Sequence, residues 1–331
     1  MHDHQADTRA PHSVMAGTLA GLSCLVLGAG GFIGSHLCHA LAAAGATVHG
    51  FGRRPAFPDS LPVLRFTAGE FNDRAALALA IDGADVVFHL LGGTNPAVSN
   101  NDPIADVETN TLASIKLLEL CRASSVRKVV FVSSGGAVYG VPRSVPIPED
   151  APTWPISAYG INKLMVEKYL QLYRHLHGVR SVSLRVSNPF GPYQSPFRRQ
   201  GVVPALIERH LAGHSMEVWG DGTVVRDFIY VADVAEALVA AAAYQGPEQV
   251  LNIGSGRGRS IREVVADIGL ALGTGEPDVL FRPGRASDVP ANVLDIGRAR
   301  AALAWAPRTD WMTGLRQTAA WISQAFPKGL P

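Results

Sequence analysis

Cysteine is scarce, with three residues in 331, at positions 24, 38 and 121. The first two sit in apolar segments on either side of a glycine-rich run and the third in a helical stretch, so they form neither a disulfide framework nor a metal-ligand set. No metal is expected, and a reducing, cytoplasmic setting is. An excess of charge of one sign is also missing, the formal net value being +1. With no basic stripe and no interleaved aromatic series, nucleic acid is not an expected partner. No run of 18 apolar residues occurs, which argues against a membrane-spanning helix and a membrane partner. The first 20 residues scatter His, Asp and Arg without the charged-then-apolar order of a signal segment, and 1–20 reads as a flexible tail. The histidines at 2, 4 and 12 belong to that leader rather than to a metal site. No internal repeat is evident.

Glycine is plentiful, at 34 residues, and one cluster of it is placed where it matters. Ser23-Cys-Leu-Val-Leu27 is an apolar run fit for a buried parallel strand, and the stretch from His36 to Ala44 reads as a helix ending at Gly45. Between them, Gly28-Ala-Gly-Gly-Phe-Ile-Gly34 occupies a strand-to-helix turn. Gly28 permits the tight turn, Gly31 lets backbone approach a pyrophosphate, and Gly34 lets helix pack on strand, while the helix N-terminus offers unpaired N–H groups to the anion. A dinucleotide site follows, with Phe32 and Ile33 inside it. Such sites often carry Asp or Glu at the end of the second strand for the ribose 2′-hydroxyl. Here that strand, Ala46-Thr-Val-His-Gly-Phe51, runs into Gly52-Arg53-Arg54 with no acid. Arg53 or Arg54 could pair with a 2′-phosphate, which leans the cofactor toward NADP over NAD; the alternative is two solvated loop arginines.

Further along, apolar runs alternate with helical stretches: 63–66, a helix over 74–81, 84–91, a long helix over about 103–123, then 128–133. The order predicts an α/β fold, a doubly wound parallel sheet with helices on both faces and ligands at the carboxyl ends of its strands. The length exceeds one average domain, so a large α/β unit with a smaller lobe is expected. The boundary falls near 187, where the pattern becomes rich in Pro and Gly. Residues 21–187 make mainly the dinucleotide-binding part and 188–331 mainly a substrate lobe with some segments returning to the first.

Tyr159 and Lys163 stand four residues apart in Ser-Ala-Tyr-Gly-Ile-Asn-Lys. On a helix that spacing puts both on one face, where an ammonium beside a phenol favours phenolate and lowers the tyrosine from about 10 toward working pH. A phenolate so placed is a general base for a sugar or alcohol hydroxyl.

Taken together, Gly28-x-x-Gly31-Phe-Ile-Gly34, Ser133-Ser-Gly-Gly-Ala-Val-Tyr139-Gly, Tyr159-x-x-x-Lys163 and Arg226-Asp-Phe-Ile-Tyr-Val-Ala-Asp-Val234 resemble the extended short-chain dehydrogenase/reductase family, over roughly 22–325. Asn188-Pro-Phe-Gly-Pro192, Trp219-Gly-Asp-Gly222, Asn252-Ile-Gly-Ser-Gly256 and Arg285-x-x-Asp288 follow in family order. The resemblance implies a Rossmann-type sheet with a smaller C-terminal substrate-binding lobe, and nucleotide-sugar chemistry like that of UDP-galactose 4-epimerases. It implies that Arg226 and Arg285, with Asp288 nearby, hold the substrate diphosphate, although ion pairing with Asp227 and Asp288 is the alternative. Asn188 would bond the sugar-diphosphate, Glu217, Val218 and Trp219 would line the base, and Glu70 and Phe71 would lie near the adenine. Leu90 and Leu91 complete the implied cofactor set with Tyr159 and Lys163. The helix ending near Ala123 and the Tyr159 helix would form a homodimer contact, burial within the monomer being the other explanation.

The catalytic hydroxyl of the family's epimerases commonly stands four residues before the tyrosine of Val-Tyr-Gly, and here that residue is Gly135. Ser134 takes the role, with Ser133 the fallback. Gly136 and Ala137 replace the acidic pair of sugar 4,6-dehydratases, so elimination lacks its acid. Two reactions remain: epimerisation through a 4-keto sugar with the cofactor regenerated each cycle, or NADPH-dependent reduction of a nucleotide-linked 4-keto-6-deoxy sugar. A catalytically silent dinucleotide sensor would leave Tyr159 and Lys163 unexplained. Loops at Thr94-Asn-Pro96, Gly135-Gly136 and 193–199 are expected to shape the sugar pocket, and His89 and His175 receive no catalytic role.

Overall fold

A computed structural model describes residues 17–327 except 54, 56–60, 93–95, 198–200 and 285–288. Arg54, Arg285, Asp288, Thr94, Asn95 and Arg199 therefore lie outside the described residues, as does most of the expected tail. Its last part is packed: Leu19 is buried, and its N–H donates to Ala44 O at 3.1 Å.

The first half runs β1 (Ser23–Leu27), α1 (Phe32–Ala43), β2 (Thr47–Gly52), β3 (Arg65–Ala68), α2 (Arg74–Ile81), β4 (Val86–His89), α3 (Pro96–Asn101), α4 (Pro103–Asp106), α5 (Ala113–Arg122), β5 (Lys128–Ser134), α6 (Ala158–His177) and β6 (Ser181–Val186). The second runs β7 (Asn188–Phe190), α7 (Val202–Leu211), β8 (Met216–Trp219), β9 (Val225–Tyr230), α8 (Val231–Ala243), β10 (Val250–Ile253), β11 (Gly258–Ser260), α9 (Ile261–Leu272), β12 (Val279–Arg282), β13 (Ala291–Asn292), α10 (Gly297–Leu303) and α11 (Trp311–Ala325). The single long helix expected over 103–123 is instead α4 and α5 joined by a π-helical turn, Val107–Leu112.

Seven parallel strands form the main sheet in the order β10-β6-β5-β4-β1-β2-β3. Alternation along β1 explains its two covered faces: Cys24 and Val26 join the core with Leu37, Leu41, Val234 and Leu238 of α1 and α8, whereas Leu25 and Leu27 join Leu77, Leu117, Val166 and Leu170 of α2, α5 and α6. Strand order reverses between β1 and β4, the place where open α/β sheets leave a crevice for ligands. Helix α6, which carries Tyr159, starts where Ser157 Oγ accepts from Gly160 N at 3.2 Å and ends at Gly178, φ +69°. The lobe beyond the sheet packs Ile207, Val218, Ile268 and Leu315 from α7, β8, α9 and α11.

Candidate active site

At the end of β1 the chain turns at Gly28, φ +92°, a backbone that glycine adopts without strain. Gly34 is required by proximity instead, because a Cβ there would stand 2.1 Å from Gly28 O. The sequence reading passed over Gly30, where a Cβ would meet Pro55 Cα at 2.7 Å. Helix α1 is preceded by Gly31 at its N-cap, with no side-chain cap and no acid in its first turn, so its free N–H groups and positive dipole end suit an anion.

That helix end borders a cavity of about 870 Å³. Gly28, Gly31, Phe32, Ile33, Gly34 and Leu90 line one part, Ser133, Ser134, Tyr159 and Lys163 the next, and Asn188, Glu217, Val218, Trp219 and Arg226 the far part. The structure thus brings most of the expected residues to one space. Four of them do not reach it. Arg53 and Glu70 are exposed at the ends of β2 and β3, and Phe71 turns inward, its ring 5.0 Å from that of His89. Leu91 packs into the core and borders only a small chamber behind Lys163.

Within the central part the serine assignment separates. Ser134 lines the cavity beside Tyr159, and its hydroxyl acts on the phenol. Ser133 Oγ instead donates to Glu167 Oε1 at 2.5 Å, and Glu167 is held by Arg185 at 2.7 Å with both side chains buried. Ser133 is committed to that buried pair. Gly135 has its own cause, since a Cβ there would come within 2.5 Å of Leu294 Cδ1.

Burial pushes the Tyr159 phenol above its usual value; the Ser134 hydroxyl pulls it down and the Asp106 carboxylate adds a smaller upward push. The expectation that the ammonium governs the phenol needs correcting. Lys163 Nζ donates to Val132 O at 2.9 Å and stands 5.8 Å from the centre of the Tyr159 ring, so loss of solvent outweighs its charge. The same burial lowers Lys163 to about 8, opposed by Glu167 and Asp106.

Behind the pair lies a polar network that the sequence reading missed. Asp106 accepts from Asn162 Nδ2 at 2.5 Å and Asn110 Nδ2 at 2.7 Å, and Thr111 Oγ1 donates to Asn162 Oδ1 at 2.9 Å. Ser114 Oγ donates to Asn110 O at 2.6 Å and meets His89 Nε2 at 2.8 Å. The π-helical turn supplies Asn110 and Thr111, and such turns often mark functional sites. Asp and Asn at helical spacing, 106 and 110, were the available signal.

At the far end, Arg226 and Asp227 alternate across β9 rather than pairing. Arg226 Nη1 donates to Val225 O and Val289 O at 2.9 and 2.6 Å. Asp227 is fully buried and accepts from Ser255 N and Oγ, both at 2.7 Å, and from Gly256 N and Leu294 N, both at 3.2 Å. Asn188 Nδ2 donates to Asp227 O at 3.0 Å. Glu217 is paired with Arg282 at 2.8 Å and Arg209 at 3.6 Å. Among the described residues, no three His, Cys, Asp or Glu side chains gather as metal ligands.

The chain is similar to known proteins over most of its length. The model of the NAD dependent epimerase/dehydratase family matches residues 24–254. UDP-glucose 4-epimerase of Mycolicibacterium smegmatis is 36% identical over 303 residues, covering 89% of this chain and 96% of that protein. Among solved structures, UDP-glucose 4-epimerase of Thermus thermophilus in complex with NAD is similar with a TM-score of 0.84 at 35% identity, covering 92% of this chain and 100% of that one. The UDP-glucose 4-epimerase of Thermotoga maritima with UDP-glucose gives 0.87 at 33%, with the same coverage.

Proposed function

This chain belongs to the NAD dependent epimerase/dehydratase family, and from that premise we propose that it is a nucleotide-sugar epimerase of the UDP-hexose 4-epimerase kind. The observation that carries the reading is the placing of Ser134, Tyr159 and Lys163 on the wall of one cavity that also takes in the glycine turn and Arg226.

The residues fit a nicotinamide dinucleotide: Gly34 leaves the space a Cβ would fill, and the uncapped end of α1 suits a pyrophosphate. When bound, that group supplies a reversible hydride acceptor. The chain does the rest. Tyr159 takes the proton of the sugar 4-hydroxyl as C4 is oxidised, and returns it after the 4-keto sugar has presented its other face. Ser134 bonds the reacting oxygen and the phenol together. Lys163 sets its positive charge beside the phenol, opposing the burial that raises it. Arg226 holds the diphosphate of the substrate, Asn188 donates to it, and Val218 and Trp219 flank the base. Arg285 and Asp288 belong to the same proposal from their place in the sequence. Replacing Tyr159 by Phe is expected to lower kcat at least about 100-fold; full turnover in that variant would sink the mechanism.

NAD is supported as the cofactor by the family description and by the NAD in the Thermus structure. NADPH-dependent reduction of a 4-keto-6-deoxy sugar is the second reading, favoured by the missing acid at the end of β2 and the exposed Arg53 there. Mass spectrometry of the nucleotide released on denaturation separates them: stoichiometric NAD supports the epimerase, and NADP, or an empty site that binds NADPH, supports the reductase.

A homodimer through α6 and the segment from α4 to α5 is part of the proposal, supported by the exposure of Ile104, Leu112, Ile161, Leu172 and Leu176 on those elements. A cytoplasmic setting is supported by three buried cysteines with free thiols. No helix among the described residues is long and apolar enough to cross a membrane.

A further inference from the structure

Two non-glycine residues among those described have positive φ, Ala304 at +49° and Tyr193 at +66°. Ala304 ends helix α10, where a left-handed residue is ordinary. Tyr193 has no such cause. A bulky side chain keeps this backbone only where its surroundings over-determine it, which happens most at ligand sites.

Two elements provide those surroundings. His36 Nε2 meets Pro192 O at 3.0 Å, and since a carbonyl only accepts, Nε2 carries the proton. The His36 ring is also 5.3 Å from the Tyr193 ring. From α11, Trp321 meets Tyr193 edge-on at 5.8 Å and Phe326 at 5.6 Å. His36 lies in α1 one turn past Phe32, whose ring is 6.2 Å away. Phe32, Tyr193 and Phe326 all line the cavity. An unbroken aromatic run therefore leads from the dinucleotide helix, across the cavity, to the far lobe. Burial lowers His36 to about 4, so the ring is neutral at working pH and donates from Nε2 alone.

We propose that His36 and Trp321 hold Tyr193 over the cavity as a positioning residue that couples dinucleotide binding on α1 to nucleotide-sugar binding in the lobe. An anion seated on the first turn of α1 fixes His36, and His36 fixes the 191–195 segment. The second ligand then meets a segment already ordered, and the coupling is reciprocal. The ligand classes rest on the functional reading above.

The test is calorimetric titration of UDP into nucleotide-free protein, with and without saturating NAD. In the wild type, NAD is expected to tighten UDP binding at least about fivefold. His36→Leu and Tyr193→Gly should bring that ratio close to one, and His36→Gln, whose amide can still donate to Pro192 O, should restore it. The rescue and the ratio are readouts that loss of stability alone would not move, and Tyr193→Gly serves if His36→Leu does not fold. An undiminished ratio in His36→Leu or Tyr193→Gly, or a wild-type ratio of one, overturns the proposal alone. A wild-type protein that binds neither UDP nor NAD overturns the functional reading with it.

Discussion

Ser133 and Ser134 are neighbours at the end of one strand, and pleating sends their hydroxyls to different partners. Ser134→Ala is expected to cost about 100-fold or more in kcat, the usual loss of a hydrogen bond made to the reacting oxygen. Ser133→Ala should leave kcat within a few-fold while costing about 1–3 kcal/mol in urea unfolding, because it removes a donor from the buried Glu167–Arg185 pair. The reverse pattern would return the role to Ser133. His89 makes a second residue-scale prediction. Its ring is buried and held at about 3 against an ordinary 6.5, burial first and Lys163 second. Below pH 6.5 the unfolded chain takes up a proton that the folded chain does not, so this contribution is complete above 6.5 and is lost as pH falls toward 3. At pH 5 the loss is about 2 kcal/mol. His89→Asn should shrink the difference between urea midpoints at pH 7 and pH 5; an unchanged difference would place the effect elsewhere. Tyr159, Lys163 and the glycines were legible because their spacing is itself the signal. The choice between two serines was not, because it depends on Glu167, which is far away in sequence.

Helix α8 is tied to the sheet by a lysine from the start of β5. Lys128 Nζ donates to Ala241 O at 3.1 Å, Ala242 O at 2.9 Å and also Tyr244 O. It satisfies carbonyls that the helix end leaves open. Lys128→Met keeps the apolar stem and removes the donors, so the urea midpoint should fall by the equivalent of about 1–3 kcal/mol with the slope unchanged. No shift would mean that water serves those carbonyls equally well. Elements were legible from apolar runs, the helix 74–81 to the residue, whereas α1 begins at Phe32, four residues before the expected start, since glycine propensity argues against helix there. The π-helical turn escaped altogether. It inserts into an otherwise continuous 3.6-residue pattern, and only packing of Asn110 and Thr111 against Asp106 and Asn162 reveals it.

At the scale of the whole molecule, the proposed dimer is checked by Leu172→Glu together with Leu176→Glu, which should give a monomer in sedimentation velocity if these exposed leucines of α6 are at the contact. A wild type that already sediments as a monomer, or a variant that stays dimeric, would assign that face another role. The parallel, doubly wound character of the sheet could be anticipated from the alternation of apolar runs and helical stretches. The lobe could not, since β9 pairs with β7, β11 and β13, strands brought together from distant parts of the chain. The same long reach has a consequence for synthesis. Strand β10 is the last member of the dinucleotide sheet, and it is made only after β7, β8 and β9. At ordinary translation speed the edge of β6 stays open until on the order of 10–50 s after initiation. A nascent chain stopped before Val250 would carry a wholly buried-type strand, Ser181–Val186, with one edge open and ready to pair with a neighbouring chain on the polysome.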